Sequence, residues 1–281
     1  MVPFCYLNGK LIPVAEARVG VYDIGLLRGF GIYEGLVSYN RKPFMLADHL
    51  ARFHNSADRM ALKIPVSDAE IEKAINELIA KNIPQGKEAL IRAILTGGDA
   101  IGGIGYNYET PTFYILAEEF IPINPSYLEK GCRVTIFEHY RQIAESKTTN
   151  YTQTVLLQEE RKKAKALEVL FVSDGKVLEG GGSNFFIVKN GKIITSDKGI
   201  LPGVTRKVVI DLARKEFPIE EREVSEQEMY DSDEMFITGS FKEVVPVVQA
   251  GDRTIGNGKV GGVTKKVMKL FQELTKAYGL N

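Results

Sequence analysis

Apolar positions along the 281-residue chain follow two rhythms. Short runs bounded by Gly, Asn or Pro mark strands, and spacings of three and four mark helices. The first run, Phe4–Leu7, and the next, at 11–14, flank Asn8-Gly9-Lys10. Asn-Gly tolerates positive φ, so the pair predicts a hairpin. Residues 20–29 read as a loop, and Gly31–Tyr39 as a strand turning at Asn40-Arg41. Asp48 is placed to cap a helix whose apolar stripe is Leu50, Phe53, Ala57 and Met60. Ser67 or Asp68 starts a second helix that buries Ile71, Ile75, Leu78 and Ile79. Ala89–Thr96 is an apolar strand interrupted by Arg92, and 111–117 is another. The glycine-rich segment between them, 97–110, reads either as an active-site loop or as an ordinary crossover.

Pro122 and Pro125 change the texture of the chain. They place a linker at 120–125, between a small N-terminal domain (1–119) and a larger one (126–281). The second half carries strands at 133–137, 169–172, 185–188, 192–195, 235–237 and 244–248. Its helices fall near 152–166, 204–216 and 262–277, the last with Val263, Val267, Leu270, Phe271 and Leu274 on one stripe. Strands outnumber helices there. The expected class is α/β (α+β), with a small N-terminal α/β domain and a strand-rich, barrel-like C-terminal domain.

Charge narrows the partners. Acidic and basic residues balance at 36 each, which gives no basic face for nucleic acid and no acidic tail. Cys5 and Cys132 are far apart without metal-site spacing, as in a reducing compartment. The N-terminus lacks a basic region followed by a long apolar run, and no apolar run approaches membrane-spanning length. A cytoplasmic location is the expectation. Gly29-x-Gly31 suggests a nucleotide loop, but the third glycine position holds Glu34.

The candidate chemistry lies in four stretches. Ser146-Lys147-Thr148-Thr149-Asn150-Tyr151 sets a lysine among small polar residues ahead of a helix. Glu179-Gly180-Gly181-Gly182-Ser183-Asn184-Phe185-Phe186, Leu201-Pro202-Gly203-Val204-Thr205-Arg206 and Thr238-Gly239-Ser240 follow. Together they supply an amine nucleophile, a carboxylate and polar backbone at a helix start. These are the needs of pyridoxal 5′-phosphate: a lysine to link to, an acid for the pyridine nitrogen and a phosphate cradle. Each residue also has a plainer reading. A single lysine is usually a solvated charge, Glu179 a turn residue, Tyr151 a packed helix-start aromatic, Thr205 an N-cap, Ser240 a turn and Arg52 a solvated helix face.

In this order and spacing the motifs resemble the class IV (fold type IV) pyridoxal-phosphate-dependent aminotransferases across nearly the whole chain. The most specific are Lys147-x-x-Asn150, Glu179-Gly180 with Asn184-Phe185, Leu201-Pro202-Gly203-x-Thr205-Arg206 and His49-x-x-Arg52. The resemblance implies Lys147 as the catalytic amine and Glu179 as partner of the ring nitrogen. Arg52, Val204, Thr205 and Ser240 would hold the phosphate, and Tyr151 would sit near the 3′ oxygen.

Substrate choice turns on where the carboxylate is held. The Arg-x-His trap of the usual D-amino acid aminotransferases is replaced by Leu95-Thr96-Gly97-Gly98-Asp99, and the Glu-Gly-Ile-Arg of bacterial branched-chain enzymes by Glu34-Gly35-Leu36-Val37. Leu27-Arg28-Gly29-Phe30-Gly31-Ile32-Tyr33-Glu34 with Arg92 looks like a less usual D-amino acid subgroup. That likeness implies Arg28, Arg92 and Tyr33 as substrate-binding residues. In that subgroup the matching arginines bind the α-carboxylate, and Arg28 comes from the other subunit of a homodimer with shared active sites. Arg28 as a surface charge and Arg92 as a structural ion pair are the alternatives. The expected reaction moves an amino group from a D-amino acid to 2-oxoglutarate or pyruvate. The rivals are an L-branched-chain aminotransferase and aminodeoxychorismate lyase. No metal, nucleic acid or membrane partner is expected.

Overall fold

A computed structural model describes residues 3–280. The chain divides into two compact units. The first runs to Ile121 and also takes in Ser146–Asn150 and the residues from Lys276; the second comprises Pro122–Glu145 and Tyr151–Thr275. The sequence reading gave everything after 126 to the second domain. Two segments return to the first unit because of bonds made far away in sequence. Residues 147–149 run along the edge of a strand at 31–33, and Tyr278 stacks edge-on against Phe44 with centroids 4.8 Å apart.

In the first unit, β1 (Phe4–Leu7) and β2 (Lys10–Pro13) form the hairpin, with Asn8 and Gly9 both at positive φ. Helix α1 (Ile24–Arg28) lies in the stretch expected to be a loop. Asp23 Oδ1 accepts from the Gly25 N–H at 2.7 Å, and Gly29 ends the helix at φ +66°. Strands β3 (Gly31–Tyr39) and β4 (Lys42–Pro43) follow. Helix α2 (Leu46–Arg59) begins one turn earlier than expected, after Met45 in the left-handed region. Asp48 therefore lies in its first turn, where the helix dipole favours an anion, and not at the cap. Helix α3 (Asp68–Asn82) is capped by Ser67, whose hydroxyl accepts from the Glu70 N–H. Strand β5 (Ala89–Thr96), the ribbon β6 (Ala100–Ile101) and β7 (Gly105–Tyr106), and β8 (Thr112–Glu119) complete the unit.

The main sheet has the order β2-β1-β8-β5-β3-β4 with antiparallel pairing throughout. Alternation sends Ile32, Leu36, Ile91, Leu95, Phe113 and Ile115 to one face, where they share a core with Phe53, Ile71, Ile75 and Leu78 of α2 and α3. Each such fully buried side chain contributes about 1.5–3 kcal/mol relative to exposure. Tyr33 and Arg92 fall on the opposite face by the same alternation.

The second unit contains α4 (Ser126–Lys130), β9 (Cys132–Glu138), α5 (Thr152–Leu156), α6 (Gln158–Lys163), β10 (Glu168–Ser173), β11 (Lys176–Gly180), β12 (Asn184–Lys189) and β13 (Lys192–Thr195). It continues with α7 (Val204–Ala213), β14 (Ile219–Glu221), β15 (Val224–Ser225), α8 (Glu226–Tyr230), β16 (Glu234–Gly239), β17 (Glu243–Ala250), β18 (Arg253–Thr254) and α9 (Gly262–Ala277). The single helix expected at 152–166 is broken at Leu157, which turns inward and is buried with Val169 and Phe171. A ten-stranded sheet, β14-β13-β12-β16-β17-β9-β10-β11-β15 with β18 beside β17, curls around a core of Val134, Leu170, Phe185, Ile187, Ile237 and Val245. The pairs β9–β10, β9–β17 and β13–β14 are parallel, which makes this a mixed, barrel-like sheet.

Candidate active site

Lys147 is fixed by its backbone. Its N–H donates to Ser56 Oγ at 3.1 Å, and Ser56 is fully buried on α2. Its carbonyl accepts from the Tyr33 N–H at 2.9 Å. Two residues on, the Thr149 N–H donates to the Gly31 carbonyl at 2.9 Å, and Thr148 bridges Ile32. Residues 147–149 thus complete one edge of β3 as a short strand would. The side chain is half-buried, and its amine lies 4.4 Å from the centre of the Tyr33 ring. The amine thus lies on the face of the sheet that carries Tyr33.

Behind the same strand, Glu34 is buried between two α2 side chains. Arg52 clasps it twice, Nε to Oε1 and Nη2 to Oε2, both at 2.8 Å. His49 Nδ1 lies 2.7 Å from Glu34 Oε2. Burial works to raise the Glu34 pKa, but the Arg52 charge and the hydrogen bonds from Arg52 and His49 outweigh it and hold the carboxyl at about 2. Burial lowers the His49 pKa against the pull of Glu34, and the charges of Arg52 and Lys147 lower it further. His49 is neutral at pH 7. Arg52 is therefore a clamped guanidinium, not the solvated helix-face charge that its rim position allowed.

The substrate-binding candidates of this unit differ in surroundings. Arg28 is exposed at the end of α1, with Nη1 bonded to the neighbouring Leu27 carbonyl at 2.9 Å. It borders a cavity of about 260 Å³ that Phe30 and Tyr106 also line. Arg92 Nη1 pairs with Glu118 Oε2 at 2.5 Å.

The second unit holds the carboxylate. Glu179, on β11, is 5% exposed. Its Oε1 accepts from Arg141 Nε and Nη2 at 2.7 and 2.5 Å, and its Oε2 accepts from the Leu201 N–H at 2.9 Å. Asn184 Nδ2 grips the other side of the same residue, donating to the Leu201 carbonyl at 2.9 Å. The turn before α7 is thus tied to β11 and β12. Gly203 passes so close to Asn184 that a Cβ would overlap its Oδ1. The glycine run after Glu179 is held from behind: Lys242 Nζ bonds Glu168 Oε2 at 2.8 Å, and Ser183 Oγ donates to the same oxygen at 3.1 Å. Val204 and Thr205 open α7, both buried, and no side chain caps the helix start at Gly203. Ser240 is half-buried just past β16, and Tyr151 directly precedes α5.

Sequence reasoning missed Arg141 and Ser56, and it named His49 and Glu34 only as motif members without a supporting role. An arginine six residues before Lys147 carries no motif, and its partner Glu179 is 38 positions away. The one legible signal was the acidic residue in an otherwise apolar strand at 34, which needs a buried cation.

Residues 31–250 match the amino-transferase class IV family. A putative branched-chain-amino-acid aminotransferase of Methanocaldococcus jannaschii is 35% identical, over 98% of this chain and 97% of its own. The D-alanine aminotransferase of Bacillus licheniformis is 31% identical, over 94% of each. In structure the chain is similar to a branched-chain amino acid aminotransferase of T.th. complexed with N-(5′-phosphopyridoxyl)-L-glutamate. There the TM-score is 0.90 and the identity 28%, with 99% of this chain and 95% of that chain covered. The chain belongs to the class IV aminotransferases, which are pyridoxal-phosphate-dependent enzymes acting on small molecules.

The residues present fit that cofactor. The start of α7 offers backbone N–H groups behind Gly203, which has no side chain to cap them, a place suited to a phosphate. Thr238 Oγ1, buried beside the Gly239-Ser240 turn, has no hydrogen-bond partner among the described residues. Glu179 offers a buried carboxylate to a ring N–H, and Lys147 a positioned amine. Among the described residues no group of His, Cys, Asp and Glu is arranged to hold a metal ion, and no helix is long and apolar enough to cross a membrane.

Proposed function

We propose that this aminotransferase moves an amino group from a D-amino acid to a 2-oxo acid such as 2-oxoglutarate or pyruvate. The observation that carries the reading is Lys147, fixed at both backbone N–H and carbonyl with its amine over Tyr33. The D-specific form rests on the arginines at 28 and 92 and on the similarity to a D-alanine aminotransferase. A second reading, an L-branched-chain aminotransferase, is favoured by the relative at 35% identity and by the similar solved structures.

Bound pyridoxal phosphate supplies an electron sink that makes the substrate's Cα proton acidic. Lys147 Nζ would hold the cofactor covalently and would carry the Cα proton. Glu179 would accept a hydrogen bond from the pyridine N–H, with Arg141 holding its carboxylate. Arg52, the Val204 and Thr205 N–H groups, and the Thr205 and Ser240 hydroxyls would hold the phosphate. Tyr151 would lie near the 3′ oxygen. Tyr33 bounds the substrate, and Arg28 and Arg92 attract its carboxylate charge.

The working form is a homodimer with shared active sites. Leu26 and Ile104, 70% and 79% exposed, flank Arg28 with Val21 and Tyr22. Such an apolar patch around a cation suits burial against a second copy. The location is the cytoplasm, in keeping with Cys5 and Cys132 buried as free thiols.

Absorbance of the holoenzyme, followed separately with D-alanine and L-leucine, tests the reading. Conversion to the pyridoxamine spectrum with D-alanine alone supports it. Conversion with L-leucine alone replaces it with the branched-chain reading.

A further inference from the structure

Glu179 and the strands tied to α7 lie far apart in the order of the second unit's sheet. Glu179 is on β11, next to last in that order, while β13 and β12 are second and third. Among the described residues β11 pairs with neither of them, and only an isolated Gly180–Ser183 bridge lies between β11 and β12. Side chains make the ties instead. Leu201 is held by Glu179 from β11 and by Asn184 from β12. A second tie starts from Arg206, the third residue of α7 and the last of the motif at 201–206. Its side chain is 11% exposed. Arg206 Nη2 donates to the Ser196 carbonyl at 2.9 Å and to Glu221 Oε2 at 3.0 Å. Ser196, buried just past β13, turns its hydroxyl to the Val177 carbonyl of β11 at 2.7 Å. Val177 stands two residues before Glu179 on the same strand. Thr195 Oγ1, 3.4 Å from Arg206 Nε, donates likewise to the Phe185 carbonyl of β12 at 2.7 Å, next to Asn184.

Pyridoxal phosphate carries its ring nitrogen and its phosphate on one flat aromatic ring. A protein that grips both must hold the two grips at a set separation, and a misplacement of about 1 Å costs on the order of a hundredfold in rate. A tie at Leu201 alone leaves α7 free to pivot about that residue. The tie from Arg206, inside the first turn of the helix, removes the pivot. A planar guanidinium suits the task, because its fork meets two acceptors at fixed angles and loses little freedom in doing so. Glu221 also accepts from Arg214 Nη2 at 3.1 Å and is the more exposed partner. The Ser196 carbonyl is the partner that leads to Glu179.

We propose that Arg206 is a positioning residue. It locks the start of α7 at a fixed distance from Glu179, through the Ser196 carbonyl and the bond from the Ser196 hydroxyl to Val177. The proposal rests on the cofactor placement above, with the phosphate at Val204 and Thr205 and the ring N–H at Glu179.

The rate at which cofactor leaves the holoenzyme tests it, read by absorbance with excess 4′-deoxypyridoxine 5′-phosphate added to occupy vacated sites. Arg206→Gln should speed release about tenfold or more, the scale of one hydrogen bond from a charged group. Arg206→Lys keeps the charge without the fork, so its rate should fall between wild type and Arg206→Gln. It carries the comparison if Arg206→Gln yields no holoenzyme. Ser196→Ala cuts the next link in the same chain. It should speed release as well, and adding it to Arg206→Gln should give less than the product of the two effects. Glu221→Gln removes the ion pairs of Arg206 and Arg214 but leaves the Ser196 bond, so release should stay within about twofold of wild type. Unchanged release in Arg206→Gln, whatever its Tm, overturns the proposal, and so does equal acceleration by Glu221→Gln. Thr205→Ala checks the placement itself. Acceleration there with none in Arg206→Gln removes the proposal alone, and no acceleration in Thr205→Ala removes the placement and the proposal together. No amino acid enters the measurement, so the D-amino acid reading stands or falls separately.

Discussion

Tyr33 holds Lys147 twice: its N–H donates to the lysine carbonyl at 2.9 Å, and its ring lies 4.4 Å from the lysine amine. The strand that presents the aromatic ring therefore also sets the height of the amine above it. Ser56 supplies the third constraint, from α2, by accepting the Lys147 N–H.

Ser56→Ala removes the acceptor of that part-buried N–H. The expected cost is about 1–3 kcal/mol of stability. A lower Tm together with a several-fold fall in kcat checks it. Full activity with an unchanged Tm would mean that another group holds the segment.

Acid sensitivity follows from Glu34 and His49. The Glu34 pKa is about 2 in the fold, against an ordinary value of 4.5. A carboxyl depressed in this way adds stability above 4.5 that is lost as pH falls from there toward 2, on the order of 3 kcal/mol in all. His49 is lowered from 6.5, so the fold binds fewer protons there than the unfolded chain and weakens as pH falls below 6.5. Denaturant midpoints measured from pH 8 to pH 3 should fall in these two steps. His49→Gln should remove the first.

Glu179→Gln keeps an acceptor for the Leu201 N–H but removes the charge that faces Arg141. The fold should survive and cofactor should still bind, while kcat falls by about 10²–10³, the scale seen when one preorganised electrostatic group is lost. Stopped-flow rates of the first half-reaction check it.

Gly203→Ala drives a methyl group into Asn184 Oδ1. The turn must shift, which weakens both stability and cofactor affinity. Adding Asn184→Ala relieves the overlap, so the double variant should be less damaged than the sum of the two, with coupling of about 0.5–3 kcal/mol. Additive losses would show that the contact does not govern this turn.

Much of this was legible in the sequence. Periodicity placed the Asn8-Gly9 hairpin, α3 and the long C-terminal helix, because each is set by local spacing and turn chemistry. The motif residues Lys147, Glu179 and Thr205 stood out because they combine unusual chemistry with glycines and a helix start. What did not show was whatever depends on a distant partner. The return of 146–150 to the edge of β3, the Arg141–Glu179 pair and the Arg52–Glu34 clamp all join residues that no local pattern links. Helix α1 was hidden because five residues give no period, and its cap at Asp23 looks like any loop aspartate. The break at Leu157 arises because one apolar residue turns inward to meet Val169 and Phe171.

The most direct test of the account is to find where the cofactor attaches. Borohydride reduction of the holoenzyme fixes the link, and peptide mass spectrometry locates it. The account predicts the added mass on the peptide containing Lys147 and none in Lys147→Ala, which should also lose transamination. Attachment at any other lysine, or an active Lys147→Ala variant, would contradict it.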